Sequence, residues 1–328
     1  MPTPAASPGG HTCSVVWRPQ RRLCDTSSVI DIFIPYWGDP KKLYDAVDSV
    51  LAQTSSGWRL TVVDDCYPED VTEHFQTIKD PRVRYIRNDK NLGIIDNFTK
   101  CQQMAEGDYT VIMGCDDLLH PEYVATIERA AKHFPSVEII QPGVKVVDDS
   151  GSRVTPLADR VKSAITPRGK GTRAISGENL ATSLFVGDWL YWPSLAFRTD
   201  ALKKVKFDPD YQIILDLGLV MDLVQSGARL ALTNDIVFFY RRHADSLSSR
   251  ALLDGPRFKD EKKFFAERAE AMEALGWRKA ARAARLHLTS RLHALAMLPG
   301  AVVKRKGVSE LLRLAFSRTR RPQEALSP

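Results

Sequence analysis

The 328-residue chain contains no run of eighteen apolar residues, so no segment is long enough to cross a bilayer as a helix. Cysteine is scarce, and Cys13, Cys24, Cys66, Cys101 and Cys115 show no Cys-x-x-Cys spacing. That pattern excludes a zinc ribbon or a secreted disulfide scaffold and predicts reduced thiols of the cytoplasmic kind. Gly-x-Gly-x-x-Gly and Gly-x-x-x-x-Gly-Lys are both missing, which argues against a dinucleotide-binding fold and a P-loop. No internal repeat occurs. Residues 1–28 are rich in Pro, Ser and Gly without a long apolar stretch. They read as a disordered leader, not a signal peptide.

What the chain does have is a regular alternation of short apolar runs and helical patterns. Val29–Pro35 reads as a first strand, and Lys41–Gln53 has helical spacing of Leu43, Val47, Val50 and Leu51. Strands follow at Trp58–Val63 and Arg82–Arg87, a helix at Ile94–Met104 and a strand at Tyr109–Met113. Such β-α-β alternation predicts a mostly parallel sheet flanked by helices, with ligands at the carboxyl ends of its strands. Two acidic pairs fall at such ends, Asp64-Asp65 and Asp116-Asp117. Adjacent carboxylates repel unless a cation or a donor offsets them. Mg²⁺ takes one or two protein carboxylates together with substrate phosphates, so a divalent metal, Mg²⁺ or Mn²⁺, with a phosphorylated ligand is one reading of Asp116-Asp117. The other is a helix N-cap before Pro121. Asp64 also fits a turn-stabilising acid.

Taken in order, Pro35-Tyr36, Ser49–Thr54, Val62–Asp65, Asn91-Leu92-Gly93 and Gly107-Asp108-Tyr109 leading to Asp116-Asp117 resemble the donor half of the family 2 inverting glycosyltransferases. The resemblance extends over roughly residues 29–250 and implies a GT-A fold acting on a nucleotide-diphosphate sugar. It implies that Pro35, Tyr36 and Asp39 line the nucleotide pocket, that Asp65 accepts a hydrogen bond from the base, and that Arg87 lies near the base or the phosphates. Asp116 would be the metal ligand, with Asp117 beside it at the donor. The family's first acid of this motif falls on Gly114, so the chain departs from the strict pattern there.

In the second half, Tyr211–Leu223 reads as an apolar helix carrying Asp216 and Asp222 and closed by Gly227. The resemblance places Asp216 in the family's Glu-Asp pair, with Leu215 where the Glu would stand. An inverting transfer needs a carboxylate to take the proton from the attacking hydroxyl. Asp216, surrounded by Ile213, Ile214, Leu215 and Leu217, would be desolvated and a stronger base. A helix-capping acid is the plainer reading, and Asp222 is the fallback base. The segment Phe238–His243 resembles the family's closing segment, where His243 reaches the metal or the diphosphate and Arg241 or Arg242 offsets leaving-group charge. The Gln-x-x-Arg-Trp segment of processive synthases is missing, which predicts one or a few sugars added per encounter. Gly187–Ser194 sets aromatic rings beside an acid, so Asp188 and Trp189 are candidates for an acceptor or sugar wall. Burial of the rings in the core is the alternative.

The length suits one α/β domain over 29–250 and a helical extension over 251–328. Residues 150–177, with Arg160, Lys162, Arg168, Lys170 and Arg173, read as a mobile basic loop near the site. The chain is +6 overall, yet Arg257–Arg321 holds 17 Lys and Arg against 6 Asp and Glu, which leaves the rest net acidic. Trp277, Ala281, Ala284, Leu288, Leu292 and Leu295 form one stripe beside Arg278, Arg282 and Arg285. This stripe either docks on an anionic membrane surface or packs on the body. The expectation is therefore a cytoplasmic enzyme, peripheral at the inner face of the plasma membrane, that transfers sugar to a glycan or lipid-linked acceptor. Two other enzyme-like readings are a sugar-nucleotide nucleotidyltransferase and an inactive sugar-nucleotide-binding relative. No nucleic-acid partner is expected, because the basic tail has few interleaved aromatics.

Overall fold

The computed structural model describes residues 28–211, 214–242, 255–304 and 308–316. The expected leader lies outside these residues. Strands β1 (Ile30–Tyr36), β2 (Trp58–Asp64), β3 (Val83–Arg87) and β4 (Tyr109–Ile112) are connected through helices α1 (Pro40–Leu51), α2 (Thr72–Thr77) and α3 (Ile94–Met104). They lie parallel in the order β3-β2-β1-β4. β1 is nearly all buried, Ile, Phe and Ile alternating on both faces, as a central strand covered on both sides must be. At its end Asp39 caps α1, its carboxylate accepting from the Lys41 N–H at 2.9 Å, and Pro40 occupies the first turn. Helix α2 was not foreseen, since six residues with Phe75 alone buried give no periodic signal.

β5 (Leu118–Leu119), α4 (Tyr123–His133), β6 (Ile139–Val147), α5 (Leu157–Ile165), β7 (Arg173–Ser176), α6 (Gly177–Val186), a 3₁₀ turn at Trp192–Ser194, β8 (Ala196–Arg198), α7 (Thr199–Leu202), α8 (Leu215–Gln225) and β9 (Arg229–Arg241) follow. Among the described residues the sheet has nine strands in the order β3-β2-β1-β4-β8-β6-β9-β5, with β7 beside β9. It is mixed, not mostly parallel: β8 runs antiparallel to both β4 and β6, and β5 and β7 run antiparallel to β9. The first four strands are all parallel, helices carrying the chain back between them, and β6 also pairs with β9 in parallel.

A second correction concerns residues 150–177. They form helix α5 and strand β7, not a loop. Leu157, Val161 and Ile165 recur at helical spacing, and β7 is fixed by its pairing Arg173↔Leu232 to Ser176↔Arg229. The basic side chains of this segment, Arg160 and Lys162 among them, stand on an ordered helix.

The last helices are α9 (Gly255–Ala274), α10 (Arg278–Leu286), α11 (Leu288–Lys304) and α12 (Val308–Phe316). Phe264, Phe265, Ala269, Met272, Ala280, Ala281 and Ala284 belong to the same buried cluster as Phe33, Trp189, Leu215 and Leu219. A cut at residue 250 therefore divides one core. The expected apolar stripe is divided too. His287, with a left-handed φ of 28°, separates α10 from α11. Before it, Ala281 and Ala284 are buried; after it, Leu288 and Leu292 are 51% and 56% exposed. Ala284→Glu, which buries an unpaired carboxylate, is expected to lower stability by roughly 3 kcal/mol or more. Leu292→Glu should stay within about 0.5 kcal/mol of the parent. Urea unfolding of both variants measures the contrast, and equal losses would show that the stripe packs along its whole length.

Candidate functional site

Parallel strands end at one edge, and the order β2-β1-β4 makes the crevice between β1 and β4 a topological switch point. The loops after these two strands meet there: a Cβ on Gly38 would lie 3.2 Å from Cys115 Sγ. Pro35 and Tyr36 end β1. Tyr36 is buried with its hydroxyl unpartnered, and its ring lies 5.3 Å from that of Tyr67, which Trp37 meets edge-on at the same distance. Burial pushes the Tyr36 phenol well up, with Tyr67 and Asp64 adding to it. Trp37 is half exposed beside this pair.

The first acidic pair is a structural device. Asp64 accepts from the Tyr67 N–H at 2.8 Å, the Tyr85 hydroxyl at 2.5 Å and Arg87 Nη1 at 2.5 Å. The resulting turn holds Cys66 at a left-handed φ of 61°, a conformation that a side chain rarely adopts without tertiary support. Arg87 also donates to the Tyr67 carbonyl at 2.7 Å, so its guanidinium braces the β2 turn. Asp65 accepts from Asn88 Nδ2 at 2.8 Å and from the backbone N–H groups of Leu92 and Gly93 at 2.8 and 2.9 Å. It thereby folds the Asn88–Gly93 loop onto the crevice while keeping lone-pair capacity for one more donor. Asp39, spent on capping, is exposed at the start of α1.

The second pair is different. A Cβ built on Gly114 would stand 2.7 Å from Asp116 Oδ1 and 2.7 Å from Asp117 Oδ2. Both carboxylates therefore fold back over the glycine, and any side chain there would displace one of them. Asp117 is buried and accepts from the Arg241 N–H at 2.9 Å. Burial, and after it the Asp116 charge, push its carboxyl well above the usual carboxylate range. The same two causes push the Cys115 thiol up to about 12. Among the described residues no group of three or more His, Cys, Asp or Glu side chains forms a metal cage. A two-carboxylate donor set fits Mg²⁺ or Mn²⁺ only with substrate phosphates and water completing the shell, which is how these ions usually bind. His243 lies outside the described residues.

A second acidic meeting point lies at the start of α8. Asp216 stands in the first turn of α8, where its Oδ1 accepts from the Leu217 N–H at 2.8 Å. Burial and then the charge of Asp188 push its carboxyl up to about 6, and Lys162 draws it part of the way back. Asp188 and Lys162 Nζ are 3.7 Å apart. Next to them Asp159, buried on α5, takes the Tyr191 hydroxyl at 2.9 Å and Arg242 in a two-bond clasp at 3.0 and 3.1 Å. The Tyr191 and Tyr240 rings, 5.4 Å apart, continue this wall toward Asp117. Asp159 and the placement of Lys162 were not anticipated; the i, i+4, i+8 spacing of Leu157, Val161 and Ile165 was the available signal.

Three expectations fail. Trp189 is 0% exposed and packs in the core, its indole N–H near Ser183 Oγ at 3.4 Å, so it cannot wall a sugar; Asp188, at 30% side-chain exposure, is the accessible member. Asp222 is paired with Arg268 on α9 and is not a reserve base. Arg241 and Arg242 are held by Asp45 and Asp159 respectively, so neither guanidinium is uncommitted.

The model of glycosyl transferase family 2 matches residues 31–179. Residues 31–179 are a family 2 glycosyl transferase domain. WcaA of Escherichia coli (strain K12), assigned by name to glycosyl transfer in colanic acid biosynthesis, is 35% identical over 91 residues. The match takes in 27% of this chain and 32% of WcaA, so the chain spans about a third of that relative. An uncharacterized glycosyltransferase of Methanocaldococcus jannaschii is 22% identical over 185 residues, 55% of this chain and 59% of that protein. Among solved structures, S. aureus TarS residues 1–349 in complex with UDP-GlcNAc superimposes with a TM-score of 0.61 at 13% identity, over 88% of this chain and 90% of that one. The UDP complex of the same TarS segment gives 0.55 at 14%. The fold that surrounds the family 2 domain is thus GT-A, a mixed sheet flanked by helices.

The raised Asp216 carboxyl makes a thermodynamic prediction. Its folded value, about 6, exceeds that of an unfolded aspartate near 4, so the folded chain holds the proton more tightly. Stability is therefore lost as pH rises from about 4 to 6 and stays reduced above. Asp216→Asn is expected to melt higher than the parent at pH 7.5, by an amount on the order of 1–3 kcal/mol, with the gap closing below pH 4. A variant that melts lower at pH 7.5 would mean that the carboxylate is stabilised in the folded chain.

Proposed function

We propose that this chain transfers a sugar from a nucleotide-diphosphate donor to a hydroxyl acceptor with inversion at the anomeric carbon. The observation that carries the reading is the convergence of Asp116 and Asp117 over Gly114 at the switch point of the sheet. That arrangement concentrates negative charge where a cation-bearing diphosphate would be welcome. Asp116, with Asp117 behind it, would hold Mg²⁺ or Mn²⁺. Such an ion, when bound, offsets charge on a departing diphosphate. The UDP and UDP-GlcNAc found with TarS support a nucleotide sugar as the class of donor.

The chain's own groups divide the remaining work. Pro35, Tyr36 and the loop that Asp65 holds down shape the pocket for the nucleoside. Asp216 takes the proton of the acceptor hydroxyl as its oxygen bonds to the anomeric carbon. The bond to the diphosphate breaks with its electron pair leaving on the phosphate oxygen. Asp188, half exposed beside Asp216, faces the acceptor side. The lack of a Gln-x-x-Arg-Trp segment goes with addition of one or a few sugars, and the WcaA likeness with a cell-envelope glycan or lipid-linked acceptor. A nucleotidyltransferase is less well supported, because the β1 loop Tyr36-Trp37-Gly38-Asp39 offers no basic side chain to a triphosphate.

Thermal stabilisation by a panel of nucleotide sugars, with and without Mg²⁺ or Mn²⁺, tests the donor and the metal together. The parent should be stabilised by one donor in a metal-dependent way, and Asp116→Ala should lose that response. With the donor in hand, Asp216→Asn is expected to bind it normally while transfer falls by a factor on the order of 10² to 10⁴. An Asp116→Ala variant fully active in chelator would remove the metal role, and near-parental transfer by Asp216→Asn would place the base elsewhere.

Leu286, Leu288, Leu292, Leu295, Leu312 and Phe316 are exposed on α10, α11 and α12, helices that also carry exposed Arg282 and Arg313. This face supports peripheral docking on an anionic membrane, the inner leaflet being the proposed site. Each basic side chain near such a surface contributes about 1 kcal/mol, screened by salt. The full chain should co-sediment with phosphatidylserine vesicles at low salt and less at physiological salt. Replacing Leu288, Leu292 and Leu295 with Ser should release it. A chain that stays in the supernatant at low salt leaves the face without a membrane role.

A further inference from the structure

Two arginines end the described part of β9, and each is held by an acid on a helix outside the pair Asp116-Asp117. Asp159 of α5 takes Arg242 through both carboxylate oxygens, and Asp45 of α1 takes Arg241 through one. The second clasp is the unusual one. The Arg241 backbone N–H donates to Asp117 Oδ1 at 2.9 Å, so this side chain hangs from a residue that already touches the acidic pair. Its guanidinium nevertheless turns to α1, where Nη1 and Nη2 donate to Asp45 Oδ2 at 3.3 and 3.2 Å. The Arg241 side chain is 7% exposed and that of Asp45 58%. Among the described residues Arg241 Nε has no hydrogen-bond partner. The clasp is thus long and lopsided, a buried cation resting on an acid that water also serves.

We propose that Asp45 is a positioning residue that parks Arg241 against α1, keeping the guanidinium off Asp116 and Asp117 so that a divalent cation can take the pair. This rests on the metal reading above and deepens it. Two carboxylates set together over Gly114 are relieved by any nearby positive charge, and Arg241 carries one on a tether. Its charge is already felt at Asp117, whose carboxyl it draws part of the way down. A guanidinium laid across the pair would compete with the metal and close the site from within. Asp45 prevents this by giving the two Nη groups an anion on the other side. Without that anion the guanidinium would be buried and uncompensated, which is a costly state. The acidic pair then offers acceptors to all of its donors, Nε included.

The crystal structure of the full chain carrying Asp45→Ala is the direct test. The Arg241 guanidinium is expected within ion-pair distance of Asp116 or Asp117. A guanidinium that stays against α1, or pairs elsewhere, overturns the proposal. Mn²⁺ binding in the presence of UDP, read by electron paramagnetic resonance, is the second measurement. Asp45→Ala should weaken it by a factor of roughly 10 or more, the scale on which one charge a few ångströms away alters a carboxylate's affinity for a proton. Asp45→Glu, which keeps the anion, should bind Mn²⁺ as the parent does. Adding Arg241→Gln to Asp45→Ala keeps the backbone N–H on Asp117 and should recover the parental affinity. A purely structural role for Asp45 cannot produce that rescue. Parental Mn²⁺ binding by Asp45→Ala overturns the proposal, as does a double variant that binds no better than the single one. A parent that binds no Mn²⁺ removes the metal reading, and the place of the guanidinium in the Asp45→Ala structure then upholds or overturns the parking by itself. Should Asp45→Ala fail to fold, Asp45→Asn takes its place, since it removes the charge and keeps the shape.

Discussion

Mutual repulsion of two neighbouring carboxylates is the constraint around which this molecule is arranged. Asp116 and Asp117 occupy one small volume above Gly114, and burial makes the charge on Asp117 costly. A low-dielectric pocket raises the cost of like charges, so the fold can hold them only where other groups keep them in place. β4 fixes their backbone, and the Arg241 N–H at the end of β9 fixes Asp117. Glycine at position 114 follows from the same geometry. An aspartate there would put a third side chain into the space that the pair already fills.

Other buried acids show what a structural carboxylate looks like in this chain. Asp31 at the amino end of β1 binds Arg59 through two bonds at 2.7 and 2.9 Å and accepts from the Glu106 and Gly107 N–H groups. Asp64 has Arg87, Tyr85 and a backbone donor; Asp65 has an amide and two backbone donors; Asp159 has Arg242 and Tyr191. In each case three or more donors serve the carboxylate, and a carboxylate so served is stable. Asp116-Asp117 and Asp188-Asp216 differ because acid is set against acid. Perturbed carboxyls of this sort cluster at functional sites.

Much of the first half was legible in the sequence, because parallel strands buried on both faces produce short apolar runs and amphipathic helices produce a clear period. Ile94–Met104 is helical over its full expected length, and the acids sit at strand ends as read. What failed depends on long-range contact. Nothing local distinguishes an Asp65 that holds a loop from one that faces a ligand; the distinction is three donors contributed by residues 88 to 93. Trp189 has the composition of a sugar platform, but the packing of α6, α8 and α9 closes over it. β8 contributes three residues between β4 and β6, too few for a pattern, and those three turn a parallel sheet into a mixed one.

Helix α5 lies within residues 150–177, where local composition hides it. A helix with an apolar edge of Leu157, Val161 and Ile165 and a polar edge of Asp159 and Lys162 has little propensity to announce itself among Gly, Pro, Thr and basic neighbours. Its value lies in what its polar edge touches. Asp159 draws in Arg242 at the end of β9, one residue after the Arg241 that steadies Asp117. Lys162, one helical turn on, draws in the turn that carries Asp188. The same short helix therefore links the strand end beside the paired acids to the turn after α6. A displacement of α5 would disturb the strand end that steadies Asp117 and the turn that carries Asp188 together.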